Sequence, residues 1–109
     1  MNVDANQPTT EQICTRSLKL LGDFWTLNII GALRGGELRY CDLQRAAGGV
    51  NPVTLGNRLR KLQDAGLVAR NASDEDISVA YRLTDLGEEA IPVLMAVDTF
   101  SRKLPKHGE

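Results

Sequence analysis

The sequence predicts a mainly α-helical domain carrying one small β-hairpin, and three observations support this. Apolar residues recur at helical spacing in four segments between Thr10 and Ala65. Gly35-Gly36, Gly48-Gly49 and Gly66 punctuate those segments. From Leu67 to Leu83 the spacing changes to alternation, and a helical pattern returns at Thr84.

The bulk properties fit one compact domain. A chain of 109 residues suits a single core, and its 42% hydrophobic content supports one. No apolar run reaches the roughly 20 residues of a membrane span. Met1 to Thr10 lack the basic-then-apolar order of a secretory leader. Two cysteines without an export signal suit a reducing cytoplasm, so a cytoplasmic location is expected. Cys14, Cys41 and His107 are too scattered for a zinc spacing, and no metal or cofactor is expected.

Each element has a local rationale. The first helix covers Thr10 to Leu21, with Thr9 or Thr10 as cap and Ile13, Leu18, Leu20 and Leu21 as its apolar positions. Gly22-Asp23 interrupts it. The second runs from Phe24 to Leu33, placing Trp25, Ile29, Ala32 and Leu33 at helical spacing, and Gly35-Gly36 stops it. Leu38 to Tyr40 reads as a short extended piece. A third helix covers Cys41 to Ala47, with Leu43, Ala46 and Ala47 facing in. Asn51-Pro52 opens a fourth: asparagine caps well, and proline at the first helical position gives up nothing. That helix continues to about Ala65.

Leu67 to Asn71 and Val79 to Leu83 read as paired strands around a polar turn, Ala72 to Asp76. Thr84 caps a final helix towards Leu104, with Asp85, Glu88 and Glu89 near the positive end of its dipole. Pro92 falls inside this helix, where a lost hydrogen bond would bend it. The expected domain spans 10–104, between a flexible arm at 1–9 and a flexible tail at 105–109. A hairpin directly after two helices joined by a tight turn is the architecture of a winged helix-turn-helix domain.

Charge is uneven along the chain. The net charge is −1. Yet residues 34–70 hold seven cations (Arg34, Arg39, Arg45, Arg58, Arg60, Lys61, Arg70) against Glu37, Asp42 and Asp64, a balance of +4. Residues 71–109 hold four cations and eight anions, a balance of −4. An acidic total can therefore conceal a basic face. Ordinary solvated surface charge is the competing explanation.

The fourth helix is the most informative segment. Leu55, Leu59 and Leu62 define one buried face. At about 100° per residue, Val53, Asn57, Arg60 and Asp64 lie opposite, flanked by Thr54 and Lys61. Arginine pairs bidentately with guanine, asparagine with adenine, and a small apolar group touches the thymine methyl. The N-terminal part of such a helix, here Asn51 to Asn57, is the part that enters a major groove. A plain solvated helix face is the bland alternative.

Several motifs occur in order. They are Cys14, Leu18 to Leu21, Gly22-Asp23-Phe24-Trp25-Thr26-Leu27 and Arg39-Tyr40-Cys41-Asp42-Leu43. Asn51-Pro52, Leu55, Arg58-Leu59-Arg60-Lys61-Leu62, Gly66-Leu67-Val68 and Tyr81-Arg82-Leu83-Thr84-Asp85-Leu86-Gly87 follow. Taken together they resemble the HxlR family of winged helix regulators, relatives of the MarR-like repressors. The resemblance runs from Cys14 nearly to the end of the last helix. It implies a cytoplasmic, dimeric regulator that binds double-stranded DNA. It implies DNA contacts from Arg39, from the fourth helix (Asn51, Val53, Thr54, Asn57, Arg58, Arg60, Lys61) and from the wing (Arg70, Arg82). It also implies a dimer contact formed by the first and last helices, through Ile13, Leu20, Val93, Val97, Phe100 and Leu104.

The last helix supports that contact independently. Ala90, Val93, Val97, Phe100 and Leu104 step by three and four residues, a heptad-like stripe. Packing on the chain's own domain is the simpler explanation of part of it. A dimer also answers the symmetry of a palindromic operator.

Three positions depart from the family. The wing tip carries Asp74-Glu75-Asp76 where relatives often have proline and a basic residue, and phosphates would repel it. Val53 follows Pro52 where a polar or basic residue is common. Gly56 lies inside the fourth helix, at a cost of about 1 kcal/mol against alanine.

Some relatives sense oxidants or electrophiles through a cysteine at the position of Cys14. A helix start and Arg16 would favour its thiolate, and a packed, inert thiol is the alternative. Cys41 reads as a packing residue. An enzyme is disfavoured: the single histidine is in the tail, and no phosphate loop or Ser-His-Asp set is present. A winged-helix interaction module that no longer binds DNA remains the other class, separated from a regulator by salt-sensitive DNA affinity. A small-molecule effector bound between the helices stays open, and the sequence names no ligand for it.

Overall fold

A computed structural model describes residues 10–73 and 76–106. Six helices and three strands follow in the order α1 (Thr10–Leu21), α2 (Phe24–Leu33), β1 (Leu38–Arg39), α3 (Tyr40–Ala46), α4 (Pro52–Asp64), β2 (Val68–Ser73), β3 (Asp76–Leu83), α5 (Asp85–Glu88) and α6 (Ile91–Ser101). The strands form one antiparallel sheet in the order β1-β3-β2. This is the winged helix-turn-helix arrangement that the element order predicts.

The core lies where α2, α3, α4 and the sheet meet. Ile29, Ile30 and Leu33 come from α2, Leu43 from α3, and Leu55, Leu59 and Leu62 from α4, all essentially without exposure. Val50, Leu67, Val68, Tyr81 and Leu83 close it from the turns and sheet. Each buried leucine of α4 contributes about 1.5–3 kcal/mol through burial. Gly66, at φ +83, stops α4, because the left-handed conformation suits a residue without Cβ. Thr84 joins the sheet to α5: its hydroxyl accepts from the Gly87 amide at 3.0 Å and donates to the Gly66 carbonyl at 2.6 Å.

Several expectations are corrected. The final helix is not continuous. It breaks after α5, where the Glu89 and Ala90 amides bond carbonyls three residues back. Pro92 consequently stands in the first turn of α6, where an amide would lack a helical partner in any case, and bends nothing. Ala90 is 5% exposed and belongs to the core, not to the α6 stripe. Leu104 lies beyond the end of α6, in a turn closed by its amide on the Ser101 carbonyl at 3.2 Å.

The third helix begins one residue early, at Tyr40. Ala46 is exposed while Ala47 is buried. Leu18, expected among the packed positions of α1, is 66% exposed. The hairpin strands run further than their alternation indicates, β2 to Ser73 and β3 from Asp76, because the ladder continues past the apolar residues. The acidic residues Asp74 and Glu75 lie outside the described residues, as do residues 1–9 and 107–109.

Candidate nucleic-acid interface

The interface is built around α4. Asn51 caps it as expected: its side-chain oxygen accepts from the Val53 amide at 2.8 Å. That bond commits the carbonyl end of the Asn51 side chain to the helix. Leu55, Leu59 and Leu62 face the core, so the opposite side is free. On it Val53 is 71% exposed, and Asn57 and Arg60 are exposed as well. Thr54 is half-buried on the flank. Among the described residues, Asn57 and Arg60 have no hydrogen-bond or ion-pair partner.

Two cations of this helix are placed differently. Arg58 stands about 60° from Leu55 on the helical wheel, at the edge of the buried face. Its Nε donates to the Asp23 carboxylate at the start of α2, forming a partly buried ion pair. Burial raises the Asp23 pKa, but the bonds from Arg58 and the Thr26 hydroxyl outweigh that and hold it below the usual carboxylate range. Thr26 is the one buried polar residue among those described, and it donates to Asp23 at 2.8 Å. Lys61 donates to the Lys19 carbonyl of α1 at 2.6 Å. Both cations therefore tie the rear and flank of α4 to the first two helices.

The turn before α4 is held by two residues to which the sequence assigns no role. Gln44 donates to the Val50 carbonyl at 2.8 Å. The Tyr40 hydroxyl donates to the Pro52 carbonyl at 3.1 Å. Burial pushes the Tyr40 phenol up, so it remains a donor at neutral pH. No local pattern marks either residue, because both partners stand several residues away. For Asp23 a signal existed: it precedes a helix by one residue, with threonine three positions on.

Arg39, which caps α3 through its backbone, is exposed and bonds Asp42 at 3.3 Å. Arg45 bonds the other oxygen of Asp42 at 2.6 Å. The bonds from Arg45 and Arg39 hold the Asp42 carboxyl below its ordinary range. On the wing, Arg70 pairs across the ladder with Tyr81, and Arg82 with Ala69. Cross-strand partners share a face. Arg70 and Arg82 therefore point to opposite faces of the hairpin, and the structure does not bring them together.

The residues expected at a dimer contact are divided. Val93, Val97, Phe100 and Leu104 are exposed at 44%, 43%, 63% and 52%, and α6 has no buried residue. Leu20 is partly buried against the chain's own core. Ile13 and Cys14 lie within α1, but their side chains fall outside the described ones. Among the described residues, no three His, Cys, Asp or Glu side chains gather as metal ligands, and no helix is long and apolar enough to cross a membrane.

Residues 20–108 match the model of the HxlR-like helix-turn-helix family. The HTH-type transcriptional regulator YtfH of Escherichia coli is 35% identical over 91 residues, covering 82% of this chain and 72% of its own. A regulator of the same type from Mycobacterium bovis is 40% identical over 84 residues, covering 73% of this chain. The match spans only about half of that protein, 52% of its length. Among solved structures, a MarR-family regulator of Porphyromonas gingivalis superposes with a TM-score of 0.78 at 26% identity, covering 96% of this chain and 99% of that one. These are transcription regulators, not enzymes. With its hairpin wing, its capped and half-exposed α4 and a family match over most of its length, the chain belongs to the HxlR-like helix-turn-helix family of transcriptional regulators.

Proposed function

We propose that this chain binds double-stranded DNA as a homodimer and regulates transcription from a two-fold-symmetric operator, with α4 entering the major groove. The observation that carries this reading is the division of α4 into a fully buried rear and a front on which Val53, Asn57 and Arg60 are exposed. A side chain without an internal partner keeps its donors for base edges. Arg39 at the start of α3, and Arg70 or Arg82 on whichever face of the wing meets the duplex, supply phosphate contacts. Arg58 and Lys61 act from behind by fixing the angle of α4.

The homodimer is supported by α6, whose exposed stripe Val93, Val97 and Phe100 continues to Leu104. An uncovered apolar strip of this kind favours association. Two copies of α4 then stand about one helical turn of DNA apart, near 34 Å. The regulatory part of the proposal is a response to oxidants or electrophiles through Cys14. Its support is the place of Cys14 in α1, two residues before the cation Arg16.

The test is a fluorescence-anisotropy titration against the DNA upstream of the chain's own coding region, and against pooled genomic fragments, at two salt concentrations. Tight binding that weakens with salt, and weakens by about 1–3 kcal/mol in Arg60→Ala and Asn57→Ala, supports the assignment. Absence of salt-sensitive binding to any fragment overturns it and favours a protein-interaction module. Repeating the titration after oxidation, with Cys14→Ser alongside, tests the thiol response.

A further inference from the structure

We propose that Val53 selects the operator by reading the C5-methyl group of a thymine, so that each half-site holds a thymine at the pair facing the first turn of α4. This deepens the DNA-binding reading given above and rests on it.

Among the described residues, Val53 is the most exposed large apolar side chain, at 71%. It is the second residue of α4. The core does not call on it, because Leu55, Leu59 and Leu62 fill the buried side of that helix.

The backbone around Val53 is tied down at three points. The Asn51 side chain accepts from the Val53 amide at 2.8 Å. The Tyr40 hydroxyl donates to the Pro52 carbonyl at 3.1 Å, and the Gln44 side chain donates to the Val50 carbonyl at 2.8 Å. Two of these bonds come from α3, so the first turn of α4 is fixed against its neighbour. A side chain branched at Cβ has one strongly preferred rotamer in a helix. The methyl groups of Val53 therefore hold one position before DNA arrives, and little freedom is lost on binding.

What such a group recognises follows from its chemistry. The side chain neither donates nor accepts a hydrogen bond, so phosphates and polar base edges offer it nothing. In the major groove guanine shows two acceptors, adenine an acceptor and an amino donor, and cytosine an amino donor. Thymine shows an acceptor and a methyl group, the one apolar group among the four bases. Facing cytosine, Val53 would desolvate an amino donor without replacing its bond. Asn57 and Arg60 are exposed on the same side of α4. They stand about 6 Å and 10.5 Å further along the axis, at 1.5 Å per residue. Base steps of about 3.4 Å bring those two side chains to other pairs, so the choice of thymine falls to Val53.

The experiment starts by selecting the tightest-bound duplexes from a random-sequence pool with the parent chain. The recovered half-site should contain a fixed thymine. Deoxyuridine then replaces that thymine in one half-site of a synthetic duplex, which deletes the methyl group and keeps every hydrogen-bonding group. The apparent Kd of the parent should rise about fourfold, the change expected for one methyl group no longer buried. Deoxyuridine at thymines outside the half-sites is the control and should change nothing. Val53→Ser, with its fold checked by circular dichroism, should bind the thymine and deoxyuridine duplexes equally. Arg60→Ala should bind more weakly and keep the parent's preference for thymine at this position.

Salt-sensitive binding with no enriched sequence, or a recovered half-site without a fixed thymine, overturns the role of Val53. So does a parent that binds both duplexes equally, or a Val53→Ser variant that still prefers thymine. Each of these leaves the DNA-binding reading standing. Absence of salt-sensitive binding to every duplex overturns that reading, and the role of Val53 with it.

Discussion

Arg58 and Asp23, 35 residues apart in sequence, form the ion pair that joins the rear of α4 to the first turn of α2. Asp23 also accepts from Thr26, which is buried without exposure. The carboxylate is thus shared between the cap region of one helix and the flank of another. Removing Arg58 leaves a partly buried carboxylate with one partner fewer. Arg58→Ala is expected to lower unfolding stability by about 1–2 kcal/mol in urea. Arg58→Lys should restore only part of it, since lysine lacks the planar fork. An unchanged midpoint would show that the pair does not hold α4.

The same pair sets a pH dependence. The folded-state pKa of Asp23 lies below the ordinary 3.8. Its contribution is therefore complete above the unfolded value and is lost as pH falls through the lower folded one. Acid titrations of the parent and Asp23→Asn should converge below pH 3.8 and separate above it, with the parent the more stable. Parallel curves throughout would remove Asp23 from the acid response.

Asn51 has been given two tasks, and variants separate them. Its side chain caps α4, so Asn51→Ala should cost about 1 kcal/mol of stability. Asn51→Ser keeps a capping oxygen and should recover most of that loss. If DNA affinity recovers with stability in Asn51→Ser, the role is capping alone. If stability recovers and affinity does not, the amide reads a base.

Two helical glycines should respond in opposite directions. A Cβ at Gly56 would meet nothing within 4 Å, so Gly56→Ala should stabilise the domain by about 1 kcal/mol. A fall in DNA affinity in that variant would show that the glycine serves close approach to the groove. At Gly87 a Cβ would stand 2.0 Å from the Leu67 carbonyl oxygen. Gly87→Ala forces α5 off the sheet and should cost about 3 kcal/mol or more. Thermal unfolding of the two variants beside the parent measures both.

The α6 stripe makes a prediction about association. Phe100 is 63% exposed, so Phe100→Glu leaves the monomer fold intact by circular dichroism. In sedimentation equilibrium it should shift the chain towards monomer and weaken DNA binding steeply. A parent chain that sediments as a monomer at micromolar concentration would overturn the homodimer.

Local chemistry made much of this protein legible without coordinates. The leucine spacing of α4 placed its buried face, because 3.6 residues per turn bring Leu55, Leu59 and Leu62 to one side whatever they pack against. Asn51-Pro52 and Thr84 marked helix starts, because a cap acts within three residues of itself. Asn57 and Arg60 lie on the free face for the same reason. The bend expected at Pro92 did not occur, because the chain breaks at Glu89 and Ala90 and α6 starts anew at Ile91, a break that the heptad-like spacing runs across and that only the docking of Ala90 into the core reveals.

What the tertiary structure alone decided are relationships between distant positions. Arg58 stands among the DNA contacts that the family resemblance implies, and it is Asp23 on another helix that draws its side chain to the rear. Tyr40 carries no signal of its own until folding places its hydroxyl beside the carbonyl of Pro52. Arg70 and Arg82 look equivalent along the chain, and the ladder register sends them to opposite faces. Helical period and capping are written in neighbouring residues, so the sequence by itself determines them. Ion pairs, register and the meeting of α4 with α1 and α2 depend on how whole elements pack, and only the folded chain determines those.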